Sequence, residues 1–378
     1  MILAAVAALA LAACGSSNKS SSSTTTATTA PSSSPTSSST NGTVNMNIGN
    51  PSSSTTVTEA GSSLLYPYLQ LLVSPLHSAY SNVTLAPAAG GSGKGISDTI
   101  AGTVNVGGSD AYLSNSEFAA NPGLMNVPIA VSSQAVNYNL PGITNLKLTG
   151  NVLAEIYQGK ITKWNDSAIT ALNPGVNLPD KTIVPVRRVD SSGDTFIFTS
   201  FLSATNATWS SGPAFGTTVT WPAVSSEVTA SGNPGMVQTC HATPGCIAYI
   251  GISAESSALS AGLGEAELQN KAGNYVQPNQ TTVESAVNAG ATSLPSNLAA
   301  PLIYEPGAQS YPIVNFEYII VKSSQPSSNL AMAIRTFLAF SISPTGGSAP
   351  AFLAKNQFVA LPQSVVPLSE SAIAKISG

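Results

Sequence analysis

Three stretches of this chain place small polar residues where a strand gives way to a helix. They are Gly61-Ser62-Ser63 before Leu64, Gly90-Gly91-Ser92-Gly93 before Ile96, and Asp190-Ser191-Ser192-Gly193-Asp194 before Thr195-Phe196. The first turn of a helix carries backbone N–H groups without intrahelical partners, and its dipole favours negative charge, so each stretch outlines an anion site. Glycine lets the backbone approach a ligand closely. One such stretch alone is an ordinary helix cap. Three in one chain, the third next to Arg187-Arg188, point together to an anion pocket. None of them contains Gly-x4-Gly-Lys-Ser/Thr or Gly-x-Gly-x-x-Gly, so a nucleotide is not the expected anion. Cys240 and Cys246 flank His-Ala-Thr-Pro-Gly, whose Pro244-Gly245 marks a turn that can bring the thiols together. A short-loop disulfide of an oxidising compartment is the expectation, and a catalytic thiol served by His241 is the alternative.

The elements that must position these residues alternate along the body. Strands are expected over 83–86, 104–106, 129–138, 183–186, 247–250 and 313–321. Helices are expected over 64–80, 92–101, 149–158, 166–172, 193–202, 283–289, 329–341 and 350–356. Such alternation argues an α/β protein with largely parallel sheets. The 378 residues allow one large domain or two ordinary ones. Charged residues make up only 8%, so Ser, Thr, Asn and Gln must supply much of the solvated surface. With 13 Lys and Arg against 17 Asp and Glu, there is no basic field to hold a nucleic-acid backbone. Two histidines and three cysteines also argue against a His/Cys metal centre, and no cofactor is expected.

Residues 1–13 are an unbroken apolar run ending in Leu11-Ala12-Ala13-Cys14. The run is too short to span a bilayer, which takes about 20 residues, and it fits the apolar region of a secretory signal. Leu-Ala-Ala-Cys looks like a bacterial lipobox, which would make residues 1–14 a lipoprotein signal and Cys14 the lipid-modified first residue of the mature chain. No Lys or Arg precedes the run, and a plain secretory signal with an incidental Cys stands as the alternative. Residues 15–54 follow as a Ser/Thr/Asn/Pro tract with Lys19 as its one charge, expected to be a flexible tether.

The body, from about Thr58 to Lys375, resembles the PstS family, the phosphate-binding receptors of bacterial phosphate ABC transporters. The resemblance rests on Gly61-Ser-Ser-Leu-Leu-Tyr-Pro67, Gly102-Thr-Val-Asn-Val-Gly-Gly-Ser-Asp-Ala-Tyr-Leu113 and Ile156-Tyr-Gln-Gly-Lys-Ile-Thr-Lys-Trp-Asn165. It continues in Leu172-Asn-Pro-Gly-Val-Asn-Leu-Pro179 and Val186-Arg-Arg-Val-Asp-Ser-Ser-Gly-Asp-Thr-Phe196. It implies a two-lobed type II periplasmic-binding-protein fold, with two mixed sheets flanked by helices, a hinge and a central anion cleft. Lobe one would comprise 55–131 plus 316–378 and lobe two 132–315, with crossings near 131–137 and 311–316. The implied role is extracytoplasmic capture of inorganic phosphate and its delivery to ABC permease subunits by a lipid-anchored, non-enzymatic receptor.

Carried over by the same resemblance, Ser63 offers hydroxyl and amide, Leu64 its amide, and Ser92 hydroxyl and amide. Asp110 is the single carboxylate acceptor, Arg188 the cleft guanidinium, and Asp190 the acid paired with it. Ser192 and Gly193 are donors at the third helix start. Asp194 stands where many relatives have Thr, and an acid there should not turn its carboxylate to the anion, so only its backbone N–H is carried over. Glu59 and Lys94 stand where relatives commonly have glycine. Phosphate near neutral pH keeps a proton and sulfate keeps none, so a buried carboxylate accepts a hydrogen bond from the first and faces only lone pairs on the second. A receptor for a sulfate-like oxyanion keeps the fold but must explain Asp110. A secreted hydrolase using Ser192 or Ser63 lacks an imidazole in either loop, since the two histidines are His77 and His241.

Overall fold

The run Leu124–Tyr138, LMNVPIAVSSQAVNY, is buried at every residue but Met125, and its β-branched and small side chains suit a strand covered on both faces. In the computed structural model, which describes residues 44–378, this strand lies in the middle of a curled ten-stranded sheet. The main path runs Val83–Ala86, Thr55–Gly61, Val106–Ser109, Ile313–Lys322, Leu124–Tyr138, Cys246–Gly251, Val184–Arg188, Val228–Ala230. The first three strands are mutually parallel, as are the last three. The two long central strands run antiparallel to their neighbours. Leu124–Tyr138 pairs with Ile313–Lys322 from Leu124 to Ser133 and with Cys246–Gly251 from Gln134 to Tyr138. One strand thus serves both lobes of a two-lobed α/β fold. Pro128 has no N–H to give the ladder, and the register shifts there: Glu317 faces Ala130 and Tyr318 faces Pro128, leaving Ile129 as an extra residue.

Parallel strands require crossover connections, and these bring helix N-termini to one end of the sheet, the usual place for ligand loops. In the first lobe Thr55–Gly61 leads into helix Tyr66–Ala79, and Val83–Ala86 into helix Ser92–Ala101. In the second lobe Val184–Arg188 leads into helix Gly193–Thr205, and Val228–Ala230 into helix Gly232–Ala242. Gly91, at φ 90°, makes the turn into Ser92–Ala101 that an L side chain would strain. In the second lobe Tyr249 stacks on Phe198 at 4.5 Å, and its hydroxyl accepts from Arg188 N at 2.9 Å, fixing the end of that strand. Cys240 and Cys246 form a disulfide with their Cα atoms 5.4 Å apart, joining helix Gly232–Ala242 to strand Cys246–Gly251.

The structure differs from expectation in three respects. The two sheets are one path, because the central strand is long enough to pair on both sides of the crossing. The tether expected over 15–54 does not extend to its last residues: 44–54 lie on the body. Gly49 exchanges bonds of 3.0 and 2.9 Å with the Thr336 hydroxyl, Arg335 Nε donates to Asn47 O at 3.1 Å, and Asn82 Nδ2 donates to Pro51 O at 2.8 Å. The strand Thr55–Gly61 and the helices Gly232–Ala242 and Val366–Ala374 were not expected. Cys14 and residues 15–43 lie outside the described residues. Among those described, no helix is long and apolar enough to cross a membrane, and no three His, Cys, Asp or Glu residues gather as metal ligands.

Candidate functional site

The first wall of the site comes from the three loops of the first lobe. Asp110, two residues beyond Gly108, is 2% exposed. Ser62 Oγ accepts from the amides of Leu64 and Leu65, both at 3.0 Å, so its own proton is directed to Asp110 Oδ1. Ser92 Oγ accepts from Asp110 N at 3.1 Å and donates to Asp110 Oδ2 at 3.3 Å. Beneath these loops Glu59 accepts from Gly108 N at 3.0 Å and Ala88 N at 3.3 Å, tying the first strand to the other two loops. Burial pushes the Glu59 carboxyl up to about 8 against the pull of those two amides. Burial and the neighbouring Asp194 raise Asp110 to about 7, opposed by hydrogen bonds from Glu317 and Ser62 and by Arg188.

The second wall is charged. Arg188 ends its strand 3% exposed. Its Nε donates to Asp190 Oδ1 at 2.8 Å and its Nη2 to Asp190 Oδ2, while Nη1 reaches Asp194 Oδ2 at 2.8 Å. Burial works against the guanidinium charge, and the two acids more than offset it, holding Arg188 above its ordinary value. Burial also acts on Asp190, but the Arg188 bonds prevail and hold it below the usual carboxylate range. Asp194 is raised by burial despite Arg188. Gln134, from the crossing strand, donates to Asp194 Oδ1 at 3.1 Å, and Asn233 Nδ2 donates to Asp194 Oδ2 at 2.8 Å.

The walls meet. A Cβ on Gly193 would collide with Asp110 Oδ2 and Ser92 Oγ, so the start of the second-lobe helix lies directly against the first-lobe acid. Gly93 N donates to Ser191 O at 3.1 Å, and Asn233 N donates to Ser63 Oγ at 3.1 Å, both across the cleft. Beside this contact an edge-on aromatic series joins the lobes, Tyr112 to Phe196 at 5.1 Å and Phe196 to Phe215 at 5.6 Å. They line a groove of about 730 Å³.

All eight expected residues, with Asp190, converge here, but several are engaged differently. The Leu64 amide donates to Ser62 instead of facing the cleft. Ser192 caps its helix by accepting from Thr195 N at 3.3 Å, while its own amide donates to Thr217 O. Arg188 was expected as the cleft guanidinium with Asp190 paired to it, and its Nε and Nη2 form a fork. That fork lies on Asp190, whose two oxygens match its geometry, so it is not open to a second bidentate partner. Asp194 turns its carboxylate inward onto Arg188, because a buried charge requires the opposite charge beside it. Sequence reasoning missed Ser62, Gln134, Asn233 and Glu317. His77 Nδ1 bonds Val83 O and His241 Nδ1 bonds Ala261 O, so neither imidazole serves Ser63 or Ser192.

Residues 21–345 match the family model described as a PBP superfamily domain. The phosphate-binding protein PstS of Methanocaldococcus jannaschii is 32% identical over 325 residues, 81% of this chain and 82% of that one. PstS of Pasteurella multocida is 32% identical over 323 residues, covering 85% and 88%. PstS3 of Mycobacterium bovis is 32% identical over 337 residues, covering 85% and 87%. Among solved structures, the periplasmic phosphate-binding protein PfluDING, bound with phosphate, superposes at a TM-score of 0.66 with 22% identity, over 84% of this chain and 93% of that one. A putative phosphate ABC transporter substrate-binding protein from Clostridium perfringens, with bound phosphate, gives 0.58 and 19%, over 82% and 100%. At those identities the superpositions speak to the fold.

Proposed function

Because the chain belongs to the PstS family of phosphate-binding proteins, we propose that it captures inorganic phosphate outside the cytoplasm and delivers it to an ABC permease. The family is one of receptors, not enzymes. The observation that supports phosphate most is Asp110, a buried carboxylate beneath the Gly193 helix start and opposite Arg188. Ionised, it accepts a hydrogen bond from the protonated oxygen that phosphate keeps near neutral pH and repels an anion that has none. The proposed anion donors are the hydroxyl of Ser63, the amides of Ser92, Gly193 and Asp194, and the remaining N–H groups of Arg188, with Asp190 orienting the guanidinium; the Ser92 hydroxyl and the Ser192 amide are already given to Asp110 and Thr217.

The proposed lobes are 55–131 plus 316–378 and 132–315. The change of partner between Ser133 and Gln134 supports a hinge there. Anchoring through a lipid on Cys14 is part of the proposal, carried by Leu11-Ala12-Ala13-Cys14 alone. Calorimetric titration of the protein, unfolded and refolded to strip bound anion, tests the ligand. One-to-one heat with phosphate supports the reading, and a folded sample with none rejects it. A sulfate-like oxyanion receptor is the second reading, and competition in the same titration separates the two.

A further inference from the structure

Behind Asp110 lies a second buried acid. Glu317, on strand Ile313–Lys322, is fully buried beside the Pro128 bulge, the kind of irregularity that re-aims a side chain. Its Oε1 accepts from Ser132 Oγ at 2.5 Å and from Asn315 Nδ2 at 3.3 Å. No donor reaches its Oε2. The neighbouring carboxyl group is that of Asp110. Asn315 Nδ2 also donates to Asp110 O at 3.1 Å, holding the two segments in register.

Two carboxyl groups in contact cannot both ionise, so the pair keeps one proton. The arrangement of donors says where it resides. Asp110 accepts from Ser62 on Oδ1 and Ser92 on Oδ2, which favours its ionised form. On Glu317 both donors fall on Oε1, leaving Oε2 to carry the O–H. We propose that Glu317 acts as a neutral acid that donates to Asp110 and thereby sets the specificity of the anion site, keeping Asp110 an ionised acceptor. A carboxylate has about four acceptor positions. With Ser62, Ser92 and Glu317 on three of them, one remains, and the wall at that point is the Gly193 helix start.

The ionisable groups acting on Glu317 are Asp110 from the loop after Val106–Ser109 and Asp194 from helix Gly193–Thr205. The strand Leu124–Tyr138 presents the Ser132 hydroxyl to it, and Arg188 acts on the site through Asp110 and Asp194. Burial first, then Asp110, raises Glu317 well above the carboxylate range, in keeping with a retained proton. Without a donor behind it, Asp110 would hold a proton itself at neutral pH and offer an O–H to any oxyanion.

This inference rests on the phosphate reading and is tested alongside it. Phosphate and sulfate affinities are measured from about pH 5.5 to pH 9 on refolded wild type, Glu317→Gln and Glu317→Leu, with near-UV circular dichroism as the check on packing. Gln keeps an N–H donor that cannot ionise. It should hold selectivity within about threefold of wild type and weaken the alkaline loss of affinity that Glu317 ionisation causes. Leu removes the donor and should lower phosphate-over-sulfate selectivity by about tenfold or more at neutral pH. The inference is overturned if Gln and Leu behave alike in selectivity, or if the Gln pH profile superposes on wild type; should Leu fail to fold, the Gln profile alone decides. A wild type that binds no phosphate rejects the receptor reading and this inference with it, whereas binding unchanged in both variants rejects the inference alone.

Discussion

The first wall of the cleft presents serine hydroxyls around one acid, and the second presents an arginine already held between two acids. The second wall carries the positive charge that any oxyanion needs, but Asp190 and Asp194 temper it. Arg188 is thus a weak discriminator between phosphate and sulfate. The first wall contributes little attraction and one contact whose sign depends on whether the anion carries a proton. Affinity and selectivity are therefore divided between the lobes, and they act together only where Gly193 lies against Asp110.

The largest effect is expected from the second wall. Hydrogen bonds to charged groups contribute about 1.5–3 kcal/mol each, so Arg188→Ala should cost phosphate affinity about 10²–10⁴-fold. It should weaken sulfate in the same proportion if the division holds. Arg188→Lys, which keeps the charge but cannot match both oxygens of Asp190, should fall between the two. Titration calorimetry measures all three proteins, and a change confined to one anion would contradict the division.

A smaller effect should follow where the walls meet. Gly193→Ala adds a methyl group into the space of Asp110 Oδ2 and Ser92 Oγ. Overpacking typically costs about 1–3 kcal/mol, so both anions should weaken by roughly 10–100-fold with thermal stability of the open form nearly unchanged. Small-angle scattering should show the variant staying open at phosphate concentrations that close wild type. Unaltered closure would mean that the lobes need not meet there.

The smallest effect concerns protons on the first wall. Glu59 at about 8, and Glu317, raised well above the carboxylate range, keep protons in the folded state that the unfolded chain gives up near 4. Above about 4 the unfolded state binds fewer protons, so stability falls as pH rises, and the share owed to Glu59 is fully lost above about 8. Asp190, held low, contributes stability that is lost only in acid below that window. Urea midpoints of the phosphate-free protein should decline from about pH 5 to pH 8.5, and Glu59→Gln should flatten the decline. A midpoint that climbs across the window would contradict the placement of these acids.

Much of this was legible before the fold. The three small-residue stretches announce helix starts, and the helix Ser92–Ala101 and strand Val83–Ala86 lie where composition puts them. Ser63, Ser92, Asp110 and Arg188 gather in one place as the family motifs imply. Other residues were not legible, for identifiable reasons. Helix Gly232–Ala242 opens Gly-Asn-Pro-Gly, which reads as a loop, so Asn233 gave no sign that it would bind Ser63, Asp194 and Gly251. Residues 44–54 have tether composition, and what holds them is a set of backbone bonds to Thr336, Arg335 and Asn82 that composition does not report. Glu317 did leave a signal, since an acid inside an apolar run must find a partner, but only the fold shows that the partner is Asp110.

The central claim is that Asp110 selects the protonated anion. The direct test is a phosphate titration of wild type and Asp110→Asn, each refolded free of anion, in the presence and absence of excess sulfate. Sites built around a hydrogen bond reject the analogue lacking it by about 10⁴–10⁵. Wild type should therefore bind phosphate unaffected by sulfate, while in Asp110→Asn sulfate should compete openly and phosphate alone should weaken far less than selectivity does. Sulfate competing with phosphate in wild type, or selectivity surviving intact in Asp110→Asn, would contradict the claim.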